Sequence, residues 1–390
     1  MNIRILKTAL LGSALALALS AGAAQAGGFK VLHSFAGGSS DGAGPFGGVI
    51  PAGSGGFYIA TDGGGSSNRG TLTLLRKDGT TQVLHAFTGG TDGQNADGTP
   101  IKWSYDGNVY GTTQFGGSAG CGTIYKYTPG SGAYQQVHAF QCGSDGAFPF
   151  AGLANADADG DLFGTGYAGG NSDDGSLVFV THDGSAGETC SFSGSDGNAP
   201  FAGVTPIGND LYTVTTTGGS SNLGVIAEFP GNCGTKVLHS FGGGNDGATP
   251  YGTLLYYNGA LFGTTAAGGA GGNLGIVFKI NPDGSNYTVL HAFKGICCGN
   301  SDGSFPHSGL TVNKTDGMLY GTTINGGNSS DLGTVFKIDP NTGVEKVVHA
   351  FSGSDGAHPY GNLYIKKGTI HGTAVAGGAS NLGVVFKLKT

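Results

Sequence analysis

Short apolar runs rich in β-branched and aromatic side chains recur along the chain, parted by glycine, asparagine and aspartate. Residues 309–351 show the pattern most clearly: S-G-L-T-V, M-L-Y-G-T-T, G-T-V-F-K-I and E-K-V-V-H-A-F. Turn chemistry separates them at residues 314–317, 325–327 and 339–343. Runs of this length with this punctuation predict strands joined by hairpins. We label the four runs A, B, C and D.

The block occurs seven times. The Phe that ends run D marks the period: Phe35, Phe87, Phe140, Phe192, Phe241, Phe293 and Phe351, spaced 52, 53, 52, 49, 52 and 58 residues apart. A loop with Asp and then Pro follows each: Asp41 and Pro45, Asp97 and Pro100, Asp145 and Pro149, Asp196 and Pro200, Asp246 and Pro250, Asp302 and Pro306, Asp355 and Pro359. Run B centres on Tyr58, Tyr110, Phe163, Tyr212, Phe262, Tyr320 and finally His371. A period near 50 with four strands per unit is the signature of a propeller blade. The expected fold is therefore all-β, a seven-bladed β-propeller with four-stranded blades. The two ends fit this: a lone D run at residues 30–35 opens the array, and A, B and C without D close it at residues 360–388. The first strand should complete the last blade and seal the ring, leaving no inner edge unpaired.

The units V-L-H-x-F…D-G-x-x-P-[YF], L-[YF]-G-T-T-x-x-G-G and G-x-V-F-K-I-x-P resemble the tandem GloVer repeats of secreted or surface-attached bacterial proteins. The resemblance covers nearly all of residues 27–390 and is cleanest in blades five to seven. It implies export and a repeat fold, and brings no activity with it.

Composition adds the cellular setting. Arg4 and Lys7, an apolar stretch over residues 8–18 and Ala24-Gln25-Ala26 read as a secretory signal peptide over residues 1–26. Its removal takes the net charge from -7 to -9 and leaves residues 27–390 as one propeller domain. A mildly acidic chain is a poor partner for nucleic acid or anionic lipid, and no later segment is apolar enough to insert in a membrane. The 81 glycines are about three times ordinary usage, which fits tight turns and crowded strands. The expected product is a secreted or periplasmic monomer. Six Cys in such a chain imply disulfides. Cys121 and Cys142 flank the C–D hairpin of blade two and should pair across it. Cys190 and Cys233 pair by elimination, while the adjacent Cys297 and Cys298 form a vicinal ring or stay as thiols.

Most repeated polar residues read as structural. His33, His85, His138, His239, His291 and His349 occupy one place in run D, with Cys190 in the remaining copy. Chemistry does not need a histidine six times, whereas a strand contact does. The loop aspartates read as caps of their own turns, although seven carboxylates round one end of a channel could draw a cation. Residues 155–161 (N-A-D-A-D-G-D) resemble half of a Ca²⁺ loop, with Asp157, Asp159 and Asp161 as ligands; Gly166 stands where the bidentate Glu belongs.

Departures from the repeat carry the candidate chemistry. The second and third residues after Pro are small in nearly every blade, but blade two has Lys102-Trp103, with the only Trp. In the channel that pair would offer a sugar platform beside a cation. His307 replaces the aromatic residue seen after Pro at Phe46, Phe150, Phe201, Tyr251 and Tyr360, and His371 replaces the Tyr or Phe of run B. His358 lies in the loop into blade seven, and Arg69 is the only Arg in a B–C loop. No nucleophile elbow, H-E-x-x-H or phosphate loop occurs, and Glu is confined to Glu188, Glu228 and Glu345. The first functional reading is a binding propeller for a glycan or other extracellular polymer. Trp103, Arg69, His371 and Tyr360 would line it, on the face of the inter-blade and B–C loops. The alternatives are a polysaccharide lyase or hydrolase using His307, His358 and Lys102, and a structural envelope protein plugged by Trp103.

Overall fold

The computed structural model describes residues 28–53, 55–155, 160–231, 233–296 and 302–390. It is a seven-bladed propeller of four-stranded antiparallel sheets. Blade two shows the plan: A is Ile101–Lys102, B is Val109–Thr113, C is Thr123–Thr128 and D is Ala133–Ala139. Blade seven is built from both ends of the chain. Its A, B and C strands, Tyr364–Lys366, Thr369–Ala374 and Val384–Lys389, take Lys30–Ser34 as the fourth. His33 pairs with Val385 and Ser34 with Val384. Both the Cys121–Cys142 and the Cys190–Cys233 disulfides form, with Cα atoms 5.6 and 5.3 Å apart. Residues 1–27, the Cys297-Cys298 pair, Asp157 and Asp159 lie outside the described residues.

The hydrophobic core lies between neighbouring blades rather than within one. B and C strands alternate Tyr, Phe, Val and Ile, and each face packs on the next sheet. Tyr58, Leu72 and Phe87 of blade one meet Val109, Tyr125 and Tyr127 of blade two. The ring closure uses the same contact: Phe35 and Val385 of blade seven meet Val49, Ile59 and Leu75 of blade one. All seven marker phenylalanines are at most 1% exposed.

A bulge recurs in the C–D pairing of every blade. The residue after it is Cys190 in blade three and the repeated histidine in the other six, where it reaches the aspartate of the following loop: His33–Asp41 at 2.9 Å, His85–Asp92 at 3.0 Å and His349–Asp355 at 3.1 Å. The same carboxylates take the backbone N–H just after the marker Phe, as Asp41 does from Ala36 and Asp246 from Gly242. These carboxylates are thus occupied locally, and Asp41 and Asp355 are held below the usual range by their His and N–H partners against the opposing effect of burial.

Blade two requires a correction. The loop aspartate equivalent to Asp41 is Asp92, which holds His85 and the Thr88 N–H, and not Asp97, and the register of strand A explains why. Ile101 pairs with Tyr110 as Ile50 pairs with Tyr58. Counting back four residues from each sets Asp97 level with Phe46 and Gly98-Thr99 level with Gly47-Gly48. Blade two carries Ala96 where the other blades have their Pro, so Pro100 misleads as a ruler. Lys102-Trp103 therefore does not replace the small pair at the axis. Trp103 is 2% exposed, packs edge-on to Tyr110 between blades two and three, and donates from Nε1 to the Gly160 carbonyl at 2.6 Å. It does not plug the channel.

One further irregularity sits on the outer rim. The residue four positions before the run-D histidine covers the His–Asp pair of the preceding blade: Phe29 stacks on His349, Tyr134 on His85 and Tyr287 on His239. In blade six that residue is Glu345, and its Oε1 is buried without a hydrogen-bond partner among the described residues. Donor atoms of His291, Asp302 and Glu345 lie within 4.8 Å of one another, the set among the described residues that could hold a cation. Burial first, and then the Asp302 charge, push the Glu345 carboxyl up to about 8. A carboxyl raised above its unfolded value of 4.5 stabilises the fold fully below that pH. The contribution is lost as pH rises through about 8. In metal-free buffer Glu345→Gln should melt like the parent near pH 4.5. At about pH 8.5 it should be more stable, by up to about 4–5 kcal/mol, as read by thermal denaturation.

Candidate functional site

The loop into each blade is anchored in the same way. The residue before the Pro position has positive φ: Gly44, Asn95, Phe148, Ala199, Thr249, Phe305 and His358, between 50° and 62°. Its N–H donates to the B–C loop of the previous blade, as Phe148 does to Cys121 and His358 to Leu332, both at 2.8 Å. Proline then fixes φ, and the next side chain is aimed at the axis. Seven such side chains form a collar at one mouth of the channel: Phe46, Asp97, Phe150, Phe201, Tyr251, His307 and Tyr360.

Six of the seven are rings in a continuous chain of contact. Phe150 stacks on Phe201 with centroids 4.5 Å apart, Phe201 meets Tyr251 edge-on at 5.1 Å, and Tyr251 stacks on His307 at 4.2 Å. His307 meets Tyr360 at 5.2 Å and Tyr360 meets Phe46 at 5.2 Å. The chain breaks only at blade two, where Asp97 stands, joined by Asp62 and Gln114 from the start of two B–C loops. The cavity holds about 620 Å³.

Below the collar the channel narrows because strand A begins with small residues. A Cβ on Gly152 would lie 2.0 Å from the Thr99 carbonyl oxygen, and one on Gly48 would lie 2.3 Å from that of Asn362. Adjacent blades are zipped there by side chains on the backbone. Gly48 N–H donates to Thr99 Oγ1, Gly203 to Thr253 Oγ1 and Gly309 to Asn362 Oδ1, at 2.7, 3.0 and 2.7 Å. The Thr of the Gly-Thr-Thr motif adds bonds to the next strand A, as Thr373 does to the Gly47 carbonyl at 2.7 Å.

The electrostatics of the mouth are one-sided. No Lys or Arg lines it among the described residues. Burial lowers the His307 imidazole to about 4, so it is neutral at physiological pH. Burial first, and then the Asp62 carboxylate, hold Asp97 well above the usual carboxylate range. Asn95 Nδ2 donates to Asp62 Oδ1 at 2.6 Å, whereas Asp97 Oδ1 is buried with no hydrogen-bond partner among the described residues.

Of the residues singled out from the sequence, His307 and Tyr360 line the mouth. The others do not. Lys102 is exposed beside Trp103, towards the A–B turn of its blade. His358 holds its own loop, with Nδ1 bonded to the Ile324 carbonyl at 2.7 Å. Arg69 is exposed on the B–C loop face and its guanidinium donates to Gln94 Oε1. His371 is wedged between blades seven and one, 4.7 Å from Phe57, and burial lowers its pKa. The proposed trio of His307, His358 and Lys102 is thus not brought together. Asp161 accepts the His182 N–H at 3.1 Å beside the His182 ring. The residues missed were Asp97 as a collar member and Asp62 as its neighbour. Aligning Gly98-Thr99 on Gly47-Gly48 would have found the first.

Comparisons agree with the fold. A model of the Gloeobacter/Verrucomicrobia repeat matches residues 20–227 and again 181–386. No curated protein matches the chain. Among solved structures, a streptogramin B lyase is 15% identical with a TM-score of 0.57, over 93% of this chain and 97% of the other. An oligogalacturonate lyase from Vibrio parahaemolyticus is 10% identical with a TM-score of 0.54, over 93% of each. A puromycin-hydrolyzing peptidase from Mycobacterium tuberculosis is 12% identical with a TM-score of 0.55, over 88% of this chain and 50% of the other. At these identities the likeness is one of fold alone.

Proposed function

The chain belongs to the Gloeobacter/Verrucomicrobia repeat family, and we propose that it is an exported, monomeric binding propeller whose collar takes a glycan. The observation that carries this reading is the chain of six rings around an open cavity. Ring faces at the rim of a pocket suit the apolar face of a sugar, and the loops around them supply hydroxyl and amide partners. Two disulfides favour an oxidising compartment, in keeping with the signal peptide read from residues 1–26. Among the described residues no helix is long and apolar enough to cross a membrane.

The test is calorimetric titration of residues 27–390 with a panel of oligosaccharides, with Trp emission followed in parallel. Binding to at least one member is expected, with Trp103 emission unchanged because its ring is buried away from the mouth. Absence of heat across neutral, acidic and amino-bearing sugars would count against the reading.

A second reading, hydrolysis or elimination, is favoured by one feature. An acid held protonated beside a carboxylate, as Asp97 is beside Asp62, is the pairing general acid–base chemistry uses. Product formation from a bound sugar, abolished in Asp97→Asn, would select it.

A further inference from the structure

The collar is interrupted once, and what interrupts it is chemically specific. Six positions present rings, and the seventh presents a carboxyl group flanked by the rings of Phe46 and Phe150 on the neighbouring blades. A second carboxyl group, on Asp62, comes from the B–C loop of blade one to the same wall. Asn95 orients Asp62, whereas Asp97 Oδ1 is buried and unpartnered among the described residues. Leaving a buried acceptor unsatisfied costs about 1–3 kcal/mol, and nothing in the fold of blade two demands it. The equivalent position carries an aromatic ring in every other blade, and Gly98-Thr99 packs at the axis whatever precedes it.

Resting on the glycan reading above, we infer that the Asp62–Asp97 pair is a cation subsite that receives the ammonium group of an amino sugar while the collar stacks on its rings. Three features of the mouth point the same way. No Lys or Arg among the described residues lines it to serve the carboxyl pair as a counter-ion. The rings of Phe46 and Phe150 line the same mouth, and an aromatic face adds attraction for an ammonium group. Asp97 retains its proton because burial and Asp62 oppose its ionisation. An arriving ammonium would relieve that opposition, with the Asp97 proton passing to solvent. An N-acetylated sugar has no charge to offer and would leave the pair as it is.

The experiment compares a glucosamine tetrasaccharide with its fully N-acetylated counterpart by calorimetry on residues 27–390. The free-amino sugar should bind about tenfold tighter. Asp97→Asn should lower its affinity about tenfold and bring the ratio of the two sugars near one. Asp62→Asn should shift the ratio in the same direction. Because Asp97→Asn replaces a buried acid beside a second carboxyl group with a neutral isostere, its melting temperature should equal or exceed that of the parent. Loss of binding with a lowered melting temperature is thereby recognised as unfolding, and Asp62→Asn then decides. Equal affinity for the two sugars, or a preference that survives both substitutions, overturns the inference and leaves the glycan reading standing. Absence of binding by both sugars overturns the inference, and the oligosaccharide panel above then decides the glycan reading by itself.

Discussion

A chain lacking residues 1–36 should show no cooperative thermal transition. Those residues include the whole fourth strand of blade seven, and their loss strips Val384–Lys389 of its backbone partner. Phe29, which stacks on His349 and Phe386, and Phe35, fully buried in the core between blades seven and one, leave with it. Each buried Phe contributes about 1.5–3 kcal/mol. Asp41 loses His33, and the Phe35 N–H bond to the Gly383 carbonyl disappears. Together these approach the whole stability of a typical domain, about 5–15 kcal/mol. Calorimetry checks the outcome. A sharp melt within a few degrees of the parent would show that the ring does not depend on its closing strand. A peptide of residues 28–36 added in trans should restore the transition.

Gly152→Val should cost about 3 kcal/mol or more. Gly152 sits at the channel axis without an unusual φ, so its requirement is space rather than backbone freedom. Any Cβ meets the Thr99 backbone carbonyl at 2.0 Å, and that carbonyl cannot step aside without moving strand A of blade two. Gly231, whose added Cβ finds nothing nearer than 4.0 Å, is the control: Gly231→Ala should change stability by less than about 0.5 kcal/mol. Chemical denaturation of the pair measures the contrast. Equal effects at the two glycines would remove the argument that small residues let seven strands converge.

The repeat made the architecture legible. Apolar alternation, turn residues and the marker Phe lie in the sequence itself, and the split of the last blade between the two termini follows from counting runs. Local pairing was legible too, since Cys121 and Cys142 face each other across a hairpin whose register the strands dictate. The site was only half legible. His307 and Tyr360 stood out as members of the ring position. Asp97 did not, because the absence of Pro at Ala96 shifted the apparent alignment of blade two by four residues. The same shift lent Trp103 a place at the axis, when its neighbours Tyr110 and Gly160 hold it between blades. A sequence motif fixes spacing along the chain, whereas strand register decides which side chain reaches the channel.

The most direct test of where the ligand sits is calorimetric titration of Phe201→Ala with the tightest-binding oligosaccharide. Phe201 is half-buried in the collar, between Phe150 and Tyr251, and makes no hydrogen bond through its side chain. Its truncation should weaken binding roughly tenfold, with the melting temperature close to that of the parent. Undiminished affinity in a well-folded Phe201→Ala protein would place the ligand somewhere other than the collar and contradict the account.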